Sequence, residues 1–420
     1  MNILVVGSGG REHAICDAFA RSERVSRLFC ANGNAGIASI AVCVPIRPEE
    51  VERLADFAKE NSIDLTFVGG ESALALGIVD HFETRGMKIL GPSKASARLE
   101  ASKAFSKDFM ARHGVPTAKY FIADSIGAAQ TVLTDEFRND PVVIKADGLA
   151  AGKGVAVCSK MEEALKALSE LETIAGKSAT ERIVIEQFLS GKEVSLILFA
   201  DGENFALMPP TRDHKRVGEG DTGPNTGGMG TFTDDSLLSD EQRKVIVEEI
   251  IRPTLRGCIE EGFPFRGILF LGLMMTSNGP KVLEYNVRFG DPETQSILAR
   301  LDTDLTDICE AMLAGRLAEI PIDWKPGNSA TVVLAAEGYP QNPRKGDPIH
   351  GIDEAAGMEG VTVFHAGTSI NETGQLVTSG GRVLGVTAVG PSLEEALARS
   401  YDAVSKISWN GMHYRRDIGR

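Results

Sequence analysis

Two stretches of this chain carry residue types suited to chemistry rather than packing. The first, DHKRVGEGDTGPNTGGMG, runs from Asp213 to Gly230. It is too rich in glycine and charge for a core, and too long for an ordinary connection; such loops inside compact domains are as a rule functional or disordered. Asp213, Lys215 and Arg216 beside flexible backbone suit an anionic ligand. The second, EYNVRFGDPETQ, spans Glu284 to Gln295 and reads as a strand with a chemical face. Side chains alternate along a strand, so Glu284, Asn286 and Arg288 are expected on one side and Leu283, Tyr285 and Val287 on the other. A carboxylate, an amide oxygen and a guanidinium in a row would hold Mg²⁺ and a bound anion. Together the two stretches read as an enzyme site for phosphates.

Three further segments could complete it. Lys145-Ala146-Asp147-Gly148-Leu149-Ala150-Ala151-Gly152-Lys153-Gly154 is not a Walker A loop: the first glycine is one residue too close, and Gly154 stands where Ser or Thr would meet Mg²⁺. It joins strand to strand, and a glycine hairpin carrying Lys153, with Lys145 on the preceding strand, could close over a triphosphate. The alternative is a surface hairpin with two solvated lysines, which a lysine following Val142-Val143-Ile144 fits poorly. Glu186-Gln187-Phe188-Leu189, with Glu193, ends an apolar strand and could offer backbone to an adenine edge and a carboxylate to ribose. Gly7-Ser8-Gly9-Gly10-Arg11-Glu12-His13 opens the first helix, and Glu12 sits where a dinucleotide fingerprint needs glycine, which excludes a nicotinamide cofactor. Free amides at Gly9 and Gly10, with Arg11, would still cradle a phosphate; a tight turn needing glycine for backbone geometry alone explains the same residues. Neither His13 nor His214 is assigned a catalytic role.

The elements that position these segments follow from periodicity. Up to about Pro92, strands at Ile3–Val6, Leu28–Ala31, Val42–Ile46, Leu65–Val68 and Ile89–Leu90 alternate with helices at His13–Arg21, Pro48–Glu60 and Ser72–Arg85. Such alternation predicts a doubly wound parallel sheet with ligands at the carboxyl ends of its strands. One helix is expected from Ser93 to Arg112. The middle region reads as α+β with a partly antiparallel sheet, a long helix Asp240–Glu261, and strands Gly267–Met275 and Lys281–Arg288 turned at Ser277-Asn278-Gly279. The last hundred residues add strands near Ala330–Ala335, Thr362–Ala366 and Val383–Val389, then a helix Ser392–Lys406.

At 420 residues, two to four domains are expected. A net charge of −14 argues against nucleic acid as partner, which needs a broad basic surface, but leaves room for a local basic pocket. No apolar run suits a membrane span. Six scattered cysteines and no cationic leader point to a reduced, cytoplasmic setting.

Taken in order, the segments resemble the ATP-grasp superfamily, and within it the phosphoribosylamine–glycine ligases. The resemblance runs essentially end to end through GSGGREHA, NGNAG (Asn32–Gly36), GPSKASARLEASKAFSKDFM (Gly91–Met110), VVIKADGLAAGKGV, the two opening stretches and the closing RRDIG (Arg415–Gly419). It implies three parts: an N-terminal substrate-binding α/β domain over 1–102, an ATP-grasp domain over 103–323 with 118–190 as a mobile lid, and a small mixed α/β C-terminal domain over 324–420. It implies that Lys103, Lys145 and Lys153 contact ATP phosphates, and that Glu186, Phe188, Leu189 and Glu193 line the adenosine hinge. Glu284 and Asn286 match ligands of Mg²⁺ or Mn²⁺. Gly9, Gly10, Arg11, Glu12, Glu71, Asp213, Lys215, Thr226, Gly227, Gly228, Arg288 and Asp291 would face glycine and the sugar phosphate, with Lys153, Arg288 and Asp213 taking part in catalysis. Where the family commonly has Gly-Pro-Glu-Ala-Pro-Leu, this chain has Gly69-Gly70-Glu71-Ser72-Ala73-Leu74, which implies a looser loop around Glu71. The implied activity is ATP-dependent ligation of glycine to 5-phosphoribosylamine through a glycyl phosphate, by a monomer or alternatively a homodimer. The rivals are a related carboxylate–amine or formate-using ligase, disfavoured by the long 213–230 loop, and a silent nucleotide sensor, disfavoured by intact lysines and metal ligands.

Overall fold

The computed structural model describes residues 1–138, 140–148, 154–175 and 181–420. Its first part is a five-stranded parallel sheet in the order Val42–Val44, Arg27–Asn32, Asn2–Gly7, Leu65–Val68, Ile89–Leu90. Ile3, Leu4, Val5 and Val6 in the central strand are all fully buried. Both faces of that strand are therefore covered, as helices on either side of a parallel sheet require. The strand order reverses beside Asn2–Gly7, so Gly7–Arg11 and Gly69–Glu71 meet at adjacent carboxyl ends.

Two expected helices are broken, each for a local reason. Ser72–Arg85 becomes Glu71–Leu76 and Ile78–Thr84, because Gly77 between them adopts φ +88°. Ser93–Arg112 becomes Lys94–Ala101 and Lys103–Arg112, with Ser102 extended between them. The Ser102 hydroxyl caps the second helix at the Phe105 amide, and Asp147 accepts from the Ala104 amide (3.1 Å) and from Ser102 (3.2 Å). A tertiary carboxylate thus stabilises a break that helical periodicity gives no sign of. The break aims Lys103 at the Gly148 carbonyl, 2.9 Å away.

A four-stranded antiparallel sheet follows, ordered Tyr120–Ala123, Ile183–Gln187, Val142–Ala146, Val155–Cys158. Its own apolar core includes Ile144, Leu168 and Ile185. The expected long helix at 240–261 is present with one wide turn, Val247–Ile251, just before Pro253. Proline cannot donate the regular helical bond, and a wider turn absorbs the mismatch.

Most of the remaining strands form one large antiparallel sheet, with Arg216–Gly218 and Thr222–Asn225, and Thr368–Ile370 and Leu376–Thr378, as two separate pairs. From Gly279–Asn286 it passes through Arg266–Thr276, Lys192–Asp201, Thr211–Asp213 and Gly230–Thr233 to Asn328–Ala335, Arg382–Gly390 and Val361–His365. Gly230–Thr233 pairs with Asn328–Ala335 through four residues of register, so the sheet runs unbroken past position 324. The C-terminal strands are thereby fixed directly against the 213–230 loop.

Candidate functional site

The strand Gly279–Asn286 carries the acidic face, and one detail departs from simple alternation. Gly272 lies opposite Glu284 while Leu273 lies opposite Val282, leaving Leu283 as the extra residue of a β-bulge. Tyr285 and Val287 enter the main core as expected, but Leu283 does not. It turns instead to the site side and packs with Ala118, Leu189 and Met274 in a small separate apolar cluster. Its carbonyl accepts from Lys145 Nζ (3.1 Å) and Lys107 Nζ (3.3 Å). The bulge thus places a small apolar cluster next to two lysines.

Those lysines are held by Glu186. Its carboxylate pairs with Lys145 Nζ at 2.7 Å and Lys107 Nζ at 2.9 Å, and all three side chains are buried. Burial would raise the Glu186 carboxyl, but Lys145 and Lys107 outweigh it and hold it below the usual range. Burial, with repulsion from Lys145, pulls Lys107 down to about 8 against the attraction of Glu186. The Glu186 carboxylate is therefore engaged between two lysines, which leaves Glu193 as the carboxylate of this segment not held in the buried lysine pair. Glu193 is exposed and pairs with Lys215 at 3.0 Å. Phe188 is exposed and Leu189 buried. Lys153 and the tip of the glycine hairpin lie outside the described residues.

Glu284 is the electrostatic focus. Burial pushes its carboxyl upward, yet Lys215, Lys145, Lys103 and Arg288, in that order, hold it below the usual carboxylate range. Asn286 Oδ1 accepts from Arg288 Nη2 at 3.3 Å. An ionised carboxylate and an amide oxygen on one strand are hard donors of the kind Mg²⁺ takes when substrate phosphates complete its shell. Among the described residues no group of three His, Cys, Asp or Glu side chains forms an all-protein metal cage.

Arg288 also ties the domains together, pairing with Glu71 Oε2 at 3.2 Å and with buried Glu100 Oε1 at 2.7 Å. Burial opposes ionisation of Glu71, but Arg288 and Arg11 prevail and bring it down to about 2. Arg11 pairs with Glu12 at 2.6 Å and donates to the Phe289 carbonyl at 3.0 Å. The Gly9 amide donates to Glu12 Oε2 at 2.6 Å. It is therefore not the free phosphate donor expected from the sequence: Glu12 already occupies that position. The glycines here serve close approach as well, since a side chain at Gly7 or Gly69 would collide with Glu12.

The 213–230 loop borders this centre. Asp213, Lys215, Glu193, Ser195 and Leu283 line one cleft. Asp213 Oδ1 is buried with no hydrogen-bond partner among the described residues, and burial together with Glu293 pushes its carboxyl well up. Thr226 Oγ1 donates to the Lys215 carbonyl, and the Gly228 amide to Thr226 Oγ1, both at 3.0 Å. The Gly227 amide donates to the Tyr339 hydroxyl at 3.0 Å. Arg382 donates to the Gly227 and Asp291 carbonyls and pairs with the Asp291 carboxylate at 2.8 Å. Sequence reasoning missed Glu100, Lys107, Glu293, Tyr339 and Arg382. Lys107 had a local signal, standing four residues after Lys103 on one helix face, and Glu293 lies within the Glu284–Gln295 stretch.

The histidines are structural. His13 Nδ1 accepts from the His365 amide at 2.8 Å, and His214 faces the Gly230 carbonyl and the Gly419 amide. Burial lowers His13 to about 3 and both His214 and His365 to about 4. A depressed folded pKa means stability present above the unfolded value near 6.5 and lost as pH falls toward 4, because only the unfolded chain takes up the protons. The expected loss approaches about 1.4 kcal/mol per histidine per pH unit. Urea midpoints at pH 7.5, 6 and 5 should fall accordingly; an unchanged midpoint down to pH 5 would refute the assignment.

Comparison with known proteins bears on this arrangement. Models of the phosphoribosylglycinamide synthetase N domain, ATP-grasp (A) domain and C domain match residues 1–100, 101–294 and 329–420. The chain is 48% identical to a phosphoribosylamine–glycine ligase of Pseudomonas aeruginosa, covering 100% of this chain and 97% of that protein. It is 45% identical to one of Brucella melitensis, over 100% and 97% respectively. A crystal structure of a phosphoribosylamine–glycine ligase from Thermotoga maritima superposes with a TM-score of 0.87 at 34% identity, covering 100% of both chains. The biotin carboxylase domain of a Hydrogenobacter thermophilus 2-oxoglutarate carboxylase shares the fold, with a TM-score of 0.75 at 18% identity over 98% of this chain and 91% of that one.

Proposed function

The chain belongs to the phosphoribosylglycinamide synthetase family, and from that membership we propose that it ligates glycine to 5-phosphoribosylamine in purine biosynthesis, consuming ATP. The observation that carries the chemistry is a buried Glu284 carboxyl held below its usual range by four surrounding cations, Lys215, Lys145, Lys103 and Arg288, each of them also engaged by another partner. Such a centre stabilises transferring phosphoryl groups; it is not a nucleophile with its base. ATP phosphorylates the glycine carboxylate, and the amine of phosphoribosylamine then attacks the acyl carbon and releases phosphate.

The residues divide the work by position. The cluster of Leu189, Leu283, Met274 and Ala118 offers the apolar surface for adenine, with Glu186 and Phe188 at the hinge. Lys103 and Lys145 meet the phosphates, and Lys153 is assigned there from the resemblance. Glu284 and Asn286 would hold Mg²⁺ or Mn²⁺, which when bound offsets charge on bridging phosphate oxygens. Asp213, with its unpartnered oxygen, suits the ammonium of glycine; Lys215, Arg288, Asp291 and Thr226–Gly228 border the same space. Gly10, Arg11 and Glu71 face the ribosyl part of the second substrate. We take a monomer in the cytoplasm as the working state, and sedimentation would reveal a dimer.

Glycine carrying oxygen-18 in its carboxylate should pass one labelled oxygen to the released phosphate. Label confined to glycine and the amide product would overturn the acyl-phosphate route. ADP release measured with each substrate omitted in turn tests the ligase reading itself, and release independent of glycine and of phosphoribosylamine would remove it.

A further inference from the structure

The RRDIG segment lies about two hundred residues beyond the 213–230 loop in sequence, yet it is built into that loop. Arg415 is 1% exposed. Its guanidinium makes a two-pronged pair with Asp417 (2.8 and 2.7 Å), meets Asp221 Oδ1 at 2.8 Å, and donates to the Arg216 carbonyl at 3.1 Å. Asp417 in turn accepts from the Gly220 amide at 2.8 Å. The flanking residues repeat the pattern: Arg416 N donates to Glu219 (3.2 Å), His413 Nε2 lies 2.9 Å from the Val217 carbonyl, and the Gly419 amide donates to His214 (3.3 Å). The loop tip needs this support. Gly220 and Asp221 both have positive φ, +64° and +54°. For a non-glycine residue such a conformation persists only where its surroundings over-determine it.

We propose that Arg415 is a positioning residue, which through Asp221 and Asp417 holds the 213–230 loop in the conformation that receives glycine and phosphoribosylamine. This rests on the reading of that loop as facing those two substrates. Arg415 touches no substrate itself. A fully buried guanidinium satisfied by two carboxylates and a carbonyl fixes the direction of the strand Arg216–Gly218. Lys215 directly precedes that strand and Asp213 begins the same loop, so the strap bears on their aim together with the Thr226 contact to the Lys215 carbonyl.

Asp221 is 62% exposed, so Asp221→Ala removes one partner with little risk to folding; Arg415→Lys keeps the charge and loses the fork. In both variants KM for glycine, phosphoribosylamine or both should rise, by about ten-fold in Arg415→Lys, while KM for ATP stays within about two-fold. Amide exchange over 216–225 should quicken in parallel, a change that lowered global stability alone would not confine to the loop. Unchanged exchange in both variants, or KM for ATP rising with the others, overturns the proposal. Lys215→Ala separates the two layers. If it moves KM for ATP alone, the reading of the loop falls. If it raises KM for glycine or phosphoribosylamine while the Asp221 and Arg415 variants change nothing, only the strap falls.

Discussion

Glu284→Gln is expected to reduce turnover by about a hundred-fold or more at saturating Mg²⁺, equivalent to about 3 kcal/mol of lost charge stabilisation. The substitution keeps the shape of the side chain and strips its charge from a site where four cations converge. Adenosine binding should change little, because the apolar cluster of Ala118, Leu189, Met274 and Leu283 is not touched. Initial rates of ADP release, set beside calorimetric titration with an adenine nucleotide lacking Mg²⁺, distinguish the two quantities. Near-normal turnover would place the metal elsewhere. Weakened metal-free nucleotide binding of similar size would mean that Glu284 supports the adenosine pocket instead.

The second large effect is on stability. Glu186→Gln should destabilise the fold by about 3 kcal/mol at pH 7, the scale for removing one partner of a buried ion pair. Lys107 and Lys145 would then share a buried space with no carboxylate between them. The pH dependence checks the cause. Lys107 is already drawn down to about 8, and in the variant it should fall further. A lysine with a depressed folded pKa loses stability as pH falls from the unfolded value of about 10.4 to the folded one, and no further. A lower folded value in the variant extends the loss below about pH 8, so the deficit should be smaller at pH 9 than at pH 7. Guanidinium denaturation at the two pH values gives the comparison. A deficit independent of pH would point to lost packing rather than to uncompensated charge.

The sequence by itself determined the local elements and the inventory of the site. The strand–helix alternation of residues 1–92 produced the five parallel strands, because each apolar run has to be buried on both faces. Glu284, Asn286 and Arg288 do lie together on one short segment, because strand periodicity is a local property. The family was legible for a related reason: its motifs are contiguous runs, readable without knowing what they touch.

Tertiary structure decided whatever depends on distant partners. Asp147 breaks the helix at Ser102, 45 residues away along the chain. A bulge opposite Gly272 turns Leu283 out of the core, and nothing in the Leu283 neighbourhood encodes it. Glu186 is held between lysines because Lys107 and Lys145 arrive from two other elements. The Gly9 amide is taken by Glu12, whose carboxylate fits only because Gly7 and Gly69 leave room for it. Arg382 and Arg415 reach the substrate loop because the large sheet continues through Gly230–Thr233 into Asn328–Ala335. Pairing at that separation follows from the balance of burial and charge over the whole chain, which no window of sequence contains.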